Sequence, residues 1–444
     1  MTGIIFSKTS EVLRLFNQFF GIQKHGSTVK TEVVAGLTTF FTMVYIVVVN
    51  PAILSSAGVP FDQVFMATII AAVTGTLIMG LFAKYPIAIA PGMGLNAYFA
   101  SVVATQGVSY QTVFAAVFVA GILFLVISVS KLREMLLQAI PDTVKYGISS
   151  GIGLFIAFLG LKNAGIIVAN DANLIGLGDL TSPVTLLSIA GLLITLVLMV
   201  RNVKGALFIG MIITAVIGYF CGMLQFDGIV STPPAPTFFD LDFGGVISNS
   251  LYAVIFSFLL VTIFDTTGTM MAVSDQAGLV KDGKFPRAKQ AFIGDSLATT
   301  IGAAFGTSPS TAYVESSAGV AAGGRTGLTA VVVAVMFLLT MFFSPVISAI
   351  SSLASITAPV LIIVGCFMME GLAKIKWSSF EDGFTAFMII LIMPLAGSIS
   401  TGIAFGFIIY PFLKMVAGKG KQVHPLIYIF AVLFLIQLIF FPAH

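Results

Sequence analysis

The run LYAVIFSFLLVTIFDTTGTMMAV, residues 251–273, decides the fold class, and Asp265 is its only charge. A stretch of about 20 apolar residues is long enough to cross a bilayer as a helix. A carboxylate near the middle of such a crossing costs about 2.5–3.5 kcal/mol on insertion scales. Two readings account for it: a structural acid capped by Thr266, Thr267 and Thr269, or a functional group. In a long apolar span the functional reading is the stronger. A second acid, Glu315, sits in GTSPSTAYVESSAG (306–319), an apolar segment broken by Ser, Gly and Pro.

The rest of the chain agrees with a membrane setting. Of 444 residues, 58% are apolar and 9% charged, against about 25% charged in soluble domains. That excludes a soluble core. Long apolar runs read as helices, because a spanning helix satisfies its own backbone; a β-barrel would show short alternating segments. Residues 1–32 are polar and carry Lys8, Arg14, Lys24 and Lys30, with no apolar core before a cleavage site, so no signal peptide is expected. Cys221 and Cys366 fall in apolar segments and read as buried small hydrophobes, not as a disulfide or metal framework.

The expected spans are 33–50, 61–83, 87–105, 110–130, 144–162, 184–200, 205–224, 251–273, 288–305, 307–323, 326–343, 356–373, 383–398 and 400–417. A further apolar run, 425–442, either spans or lies in the interface. With a cytoplasmic N-terminus, this count puts 20 of the 21 Lys and Arg on the cytoplasmic side, Lys162 being the exception. The positive-inside rule therefore supports both count and orientation.

Seven spans on each side of the polar 225–250 linker suggest a duplication. An odd number forces the second copy to enter from the opposite face, which is an inverted repeat. Asn96-Ala97-Tyr98-Phe99-Ala100-Ser101 in the third span echoes Thr311-Ala312-Tyr313-Val314-Glu315-Ser316 in the tenth. Both spans open on a breaker, Ala90-Pro91-Gly92-Met93-Gly94 and Gly306-Thr307-Ser308-Pro309. Each is expected to hold an extended stretch followed by a half-helix, tolerated only where it lines a cavity. Half-helix N-termini would aim free N–H groups at a ligand. Packed Pro/Gly kinks are the alternative; paired breaks at equivalent places favour a binding site.

Among the remaining candidates, Asp295 either faces a vestibule or bonds nearby Thr and Ser. Glu370 and Asp275 sit near cytoplasmic span ends and read as solvated. His25, His424 and His444 all lie outside the core spans, so a coupled proton would need a carboxylate, whose charged form burial disfavours. Tyr45, Tyr98, Phe264 and Tyr313 are aromatic candidates, of which Tyr98 and Tyr313 gain weight from the broken segments. Asn96, Thr311 and Thr269 offer polar handles. Thr38, Thr39 and Thr42 read as bonding their own backbone. Gly319–Gly327 lacks the Lys-Ser/Thr ending of a phosphate loop, and no zinc-protease or serine-nucleophile signature is present.

Several long motifs resemble the nucleobase–cation symporter-2 family, in its AzgA-like purine branch: TTFFTMVYIVVVNP (38–51), APGMGLNAYFA (90–100), GIGLFIAFLGLKNAGIIVAN (151–170), FDTTGT (264–269) and TAYVESSAGVAAGGRTGLTA (311–330). The resemblance runs from about residue 24 to 417 and implies an all-α polytopic protein of fourteen spans in 7+7 inverted repeats, with short β-like stretches in spans 3 and 10. It implies a core domain (33–130 and 251–343) moving against a gate domain (144–224 and 356–417), flanked by a cytoplasmic 1–32 and joined by an outer 225–250 linker. It implies import of adenine, guanine or hypoxanthine with a proton through the cytoplasmic (inner) membrane. Asp265 stands where the family's eighth-span acid bonds the base, and Tyr313-Val314-Glu315 matches the second acid after an aromatic residue. Thr269 stands where uracil permeases carry a histidine, and Val314 where they often carry glycine; the first departure fits the purine branch and leaves the proton relay open. The implied partners are the lipid bilayer, a small-molecule base and a second copy through the gate domains. No nucleic acid, metal or cofactor beyond the proton is implied. The rivals are an anion transporter of the same architecture, which predicts a basic residue at the site, a channel, and a membrane enzyme.

Overall fold

The long apolar runs are mostly helical in the computed structural model, which describes residues 17–130, 135, 139–170, 173–226, 228–280 and 285–440. Of the charges counted above, Lys8, Arg14, Lys131, Arg133, Lys281 and Lys284 lie outside the described residues, as does His444. The first half runs α1 (Val29–Met43), α2 (Ile46–Ser55), α3 (Phe61–Ile78), β1 (Ile89–Pro91), α4 (Met93–Gln106), α5 (Tyr110–Val129), α6 (Asp142–Asn163), β2 (Ile167–Asn170), β3 (Leu174–Leu177), α7 (Pro183–Val200) and α8 (Ala206–Phe220). The second half runs α9 (Phe243–Ser248), α10 (Tyr252–Gln276), α11 (Ala288–Phe305), β4 (Ser310–Ala312), α12 (Ser316–Ala321), α13 (Gly327–Thr340), α14 (Ser344–Ser352), α15 (Ala354–Met368), α16 (Phe380–Leu395), α17 (Ile399–Val416) and α18 (Pro425–Phe440).

Nine helical segments among the described residues are long and apolar enough to cross a membrane; Ala206–Phe220 and Pro425–Ile439 are apolar but shorter. Helix length alone therefore counts fewer crossings than fourteen. The third and tenth segments are each divided into strand and helix, and α16 has only 16 residues. In the first half, α6 packs on α15 and α16 of the second, and α7 on α8 and α15. Separately, α11 packs on α3 and α5, and α13 on α1 and α3. β1 and β4 pair antiparallel across the two halves, with Ile89 opposite Ala312, Ala90 opposite Thr311 and Pro91 opposite Ser310.

One feature differs from the sequence reading, and two add to it. Cys221 and Cys366 are exposed rather than buried, because the outside of a membrane helix is itself an apolar environment and need not exclude a small thiol. Between α6 and α7, β2 and β3 pair antiparallel, Ile167 opposite Leu177 and Asn170 opposite Leu174. The 225–250 linker is anchored by aromatic contacts, Phe238 on Phe305 and Phe239 on Phe118, with ring centroids 5.0 and 5.6 Å apart.

Candidate functional site

A two-stranded sheet inside a bilayer leaves edge groups that water cannot satisfy. Here threonines on neighbouring helices do so. The Thr76 hydroxyl of α3 accepts from the Ile89 N–H (2.9 Å) and donates to the Ile89 carbonyl (3.0 Å). The Thr299 hydroxyl of α11 treats Ser310 in the same way, at 3.0 and 3.3 Å. This matched pair of devices, one in each half, is a structural trace of the repeat. The ladder extends through Gly92 N–H to the Pro309 carbonyl (2.9 Å) and Tyr313 N–H to the Ala88 carbonyl (2.9 Å). A Cβ at Gly92 would lie 2.9 Å from the Thr311 Oγ1, so the strands meet this closely only with glycine there.

The strand pair carries its helices to one place. Glu315 is the residue before α12, half-buried, and accepts a 2.5 Å hydrogen bond from the Tyr45 hydroxyl. Asp265, half-buried on α10, lies beside the Thr311 hydroxyl of β4. Asp265 is close enough to Glu315, Asp295 and Tyr313 for its charge to act on each. Tyr313 donates its hydroxyl to the Pro91 carbonyl at 2.6 Å, which ties the two breaks together. Asn96, fully buried on α4, accepts from the Ser308 hydroxyl, and its Nδ2 has no protein partner. From Asp265 an exposed stripe on one helical face, Gly268, Ala272 and Gln276, runs to the end of α10. Val314 is 54% exposed beside it in sequence to Glu315.

The other expected residues stand as follows. Tyr98 is fully buried, with its ring against Phe258 (centroids 4.5 Å apart). Its hydroxyl lies near Ser257 and Ser400 without hydrogen-bond geometry to either. Thr269 is half-buried one turn beyond Asp265. Thr266 and Thr267 do not cap Asp265: Thr266 donates to Asp295 (2.6 Å) and Thr267 to the Ile263 carbonyl (2.5 Å). Thr38 and Thr42 bond their own helix, as their spacing suggested, whereas the Thr39 hydroxyl is buried without a partner. The second half-helix, α12, has only six residues and is much shorter than α4.

A permease-family model matches residues 30–405. The chain belongs to the nucleobase–cation symporter permeases. Among relatives, the guanine/hypoxanthine permease PbuO of Bacillus subtilis is 58% identical over 94% of this chain and 99% of its own length. The adenine permease AdeP of Escherichia coli is 44% identical over 97% of each. Among solved structures, the transmembrane domain of the cyanobacterial bicarbonate transporter BicA superposes with a TM-score of 0.64 at 17% identity, over 84% of this chain and 96% of that one. SLC26A9 gives 0.63 at 12% identity, over 92% and 70%. At such identity the likeness is one of fold alone.

The permease is a multi-pass membrane transporter and not an enzyme. Tyr45 was among the aromatic candidates without the added weight given to Tyr98 and Tyr313, although its hydroxyl holds Glu315. Residues 44–45 interrupt the first crossing with short i→i+3 bonds, yet no Pro or Gly marks the break; Pro51 lies six residues further on. Buried Glu32 was counted with the N-terminal segment. It caps the start of α13, accepting from Arg325 N–H (3.0 Å), Thr326 N–H (3.2 Å) and the Thr329 hydroxyl (2.5 Å). Only the Thr-rich start of α13 hinted at such a partner.

Proposed function

We propose that the permease imports purine bases with a proton through a cytoplasmic membrane, its N-terminus inside. The core segments (33–130 and 251–343) rock against the gate segments (144–224 and 356–417). The observation that carries this is the meeting of Asp265 and Glu315 where two interrupted segments pair, with neither acid ion-paired to Lys or Arg among the described residues. Two carboxyl groups without a counter-cation suit a neutral base with ring N–H donors and repel an anion. The names of the relatives supply the substrate class: adenine, guanine or hypoxanthine.

In this mechanism the base bonds Asp265 and Glu315, with Thr311, Thr269 and the unpaired Asn96 amide as further handles. Tyr313 and Tyr98 form walls of the site more than stacking faces, since Pro91 holds one hydroxyl and Phe258 covers the other ring. Protonation of one acid removes a charge and lets the loaded core segments move. The exposed stripe from Asp265 to Gln276 is then the release path to the cytoplasm. Buried polar groups left unpaired by a wrong base make selection strict. The test is radiolabelled uptake in a transport-deficient host, with adenine, guanine, hypoxanthine and uracil as competitors at two pH values. Saturable uptake, stronger at low external pH and displaced by purines, is expected. Uptake indifferent to pH, or displaced best by uracil, would contradict the reading.

A further inference from the structure

A hollow lined partly by hydroxyls lies away from the two acids. It is a cleft of about 410 Å³ between the ends of α2 and α6, the start of α3, α14 and the start of α15. Its size falls within the range of about 300–1,000 Å³ typical of small-molecule sites. Seven of its twelve lining residues carry a hydroxyl or a carboxamide, and none carries a charge. The hydroxyls and the carboxamide give the cleft a mixed wall, polar groups set among apolar ones.

The hydrogen bonds define what a solute there offers. Ser56, Ser352 and Thr357 give their protons to the Ile53, Ala349 and Ala354 carbonyls, at 2.6, 2.7 and 3.4 Å. Each oxygen keeps lone pairs free to accept. The Ser55 Oγ is buried with no protein partner. Asn163 adds a carboxamide, and half-buried Phe61 adds a flat apolar wall. Ser55 lies ten residues beyond Tyr45 along the first crossing, about 15 Å at the rise of a helix. The cleft is thus one layer removed from Glu315. It lies between α2 and α3 of the core segments and α6 and α15 of the gate segments, with α14 packed against both α2 and α15, so it sits where those segments move against each other in the reading above.

We propose that this cleft is an outer subsite, where a neutral planar heterocycle bearing N–H donors binds before it reaches Asp265 and Glu315. The proposal rests on the purine-import reading for the identity of the solute, and its failure is separable from that of the reading. The test uses the full-length transporter with Cys221→Ser and Cys366→Ser, carrying Ser56→Cys or Ser352→Cys, in cells. A membrane-impermeant thiol reagent is applied from outside, with and without hypoxanthine, in the presence of Asp265 and in the Asp265→Asn variant. The reagent is expected to label both cysteines. Hypoxanthine at about ten times its Kd should slow labelling about tenfold in both backgrounds. Protection only when Asp265 is intact would assign the effect to closure around the inner site and overturn the outer subsite, as would failure of the reagent to reach either cysteine. Absence of purine uptake by the Asp265 protein would instead sink the import reading itself.

Discussion

Glu315 and Tyr45 are 270 positions apart, yet a 2.5 Å hydrogen bond joins them. Removing the donor leaves a half-buried carboxyl oxygen unpaired, which costs about 1–3 kcal/mol. Tyr45→Phe should therefore lower kcat/KM for purine uptake about tenfold, with the protein still inserted and folded; initial-rate uptake checks this. An unchanged rate would remove Tyr45 from the site. Asp265 and Glu315 were readable from sequence because a lone acid stands out in an apolar run. Tyr45 stood only as one of four aromatic candidates, since one tyrosine among many aromatic residues carries no mark of its distant partner. Asp295 was left between two readings, and its bond to Thr266 favours the structural one for that oxygen; its Oδ1 has no protein partner.

At the scale of elements, the strand pair depends on hydroxyls that sequence alone does not connect. Pro91-Gly92 and Pro309 announced the breaks, but not that the two breaks would pair with each other. Thr76→Val or Thr299→Val strands two buried backbone groups, so each should destabilise the protein by about 1–3 kcal/mol. Thermal unfolding in detergent measures this, and Thr→Ser at the same positions should restore most of it. Half-helix α12 lies close on α1: a Cβ at Gly319 would fall 2.1 Å from the Thr39 Oγ1 and 2.7 Å from the Ala35 carbonyl. Gly319→Ala must push α12 aside and carry Glu315 with it. A shift of about 1 Å can cost about a hundredfold in rate, and uptake should fall on that scale while expression persists. At the α16–α17 end, the Lys419 hydrogen bond, ahead of Glu381's own backbone N–H and Ser379, holds the Glu381 carboxyl at about 2, below its ordinary 4.5. A carboxyl lowered on folding contributes stability above its unfolded value and loses it as pH falls through the folded one. This end should therefore loosen as pH drops from about 4.5 towards 2. Glu381→Gln should flatten that dependence in limited proteolysis across the acid range.

For the whole molecule, composition and charge were enough to read a helical membrane protein, and family membership and the shared fold agree with it. Of the fourteen expected crossings, nine are long and apolar enough among the described residues; the third and tenth segments are divided into strand and helix, α8 and α16 are short, and α11 is long enough but does not qualify. The two halves pair at β1–β4, which brings Thr311 beside Asp265 and leads on to Glu315. If one net positive charge enters with each base, a potential of about 100 mV contributes about 2.3 kcal/mol, or about fiftyfold accumulation. The most direct measurement is proton flux in proteoliposomes holding the purified transporter with an internal pH dye. Adding guanine or hypoxanthine outside should acidify the lumen in step with base uptake, and Asp265→Asn should abolish both responses while retaining its thermal unfolding transition. Base uptake without acidification, or an Asp265→Asn protein that acidifies like the parent, would contradict the assignment of these carboxyl groups to the shared passage of base and proton.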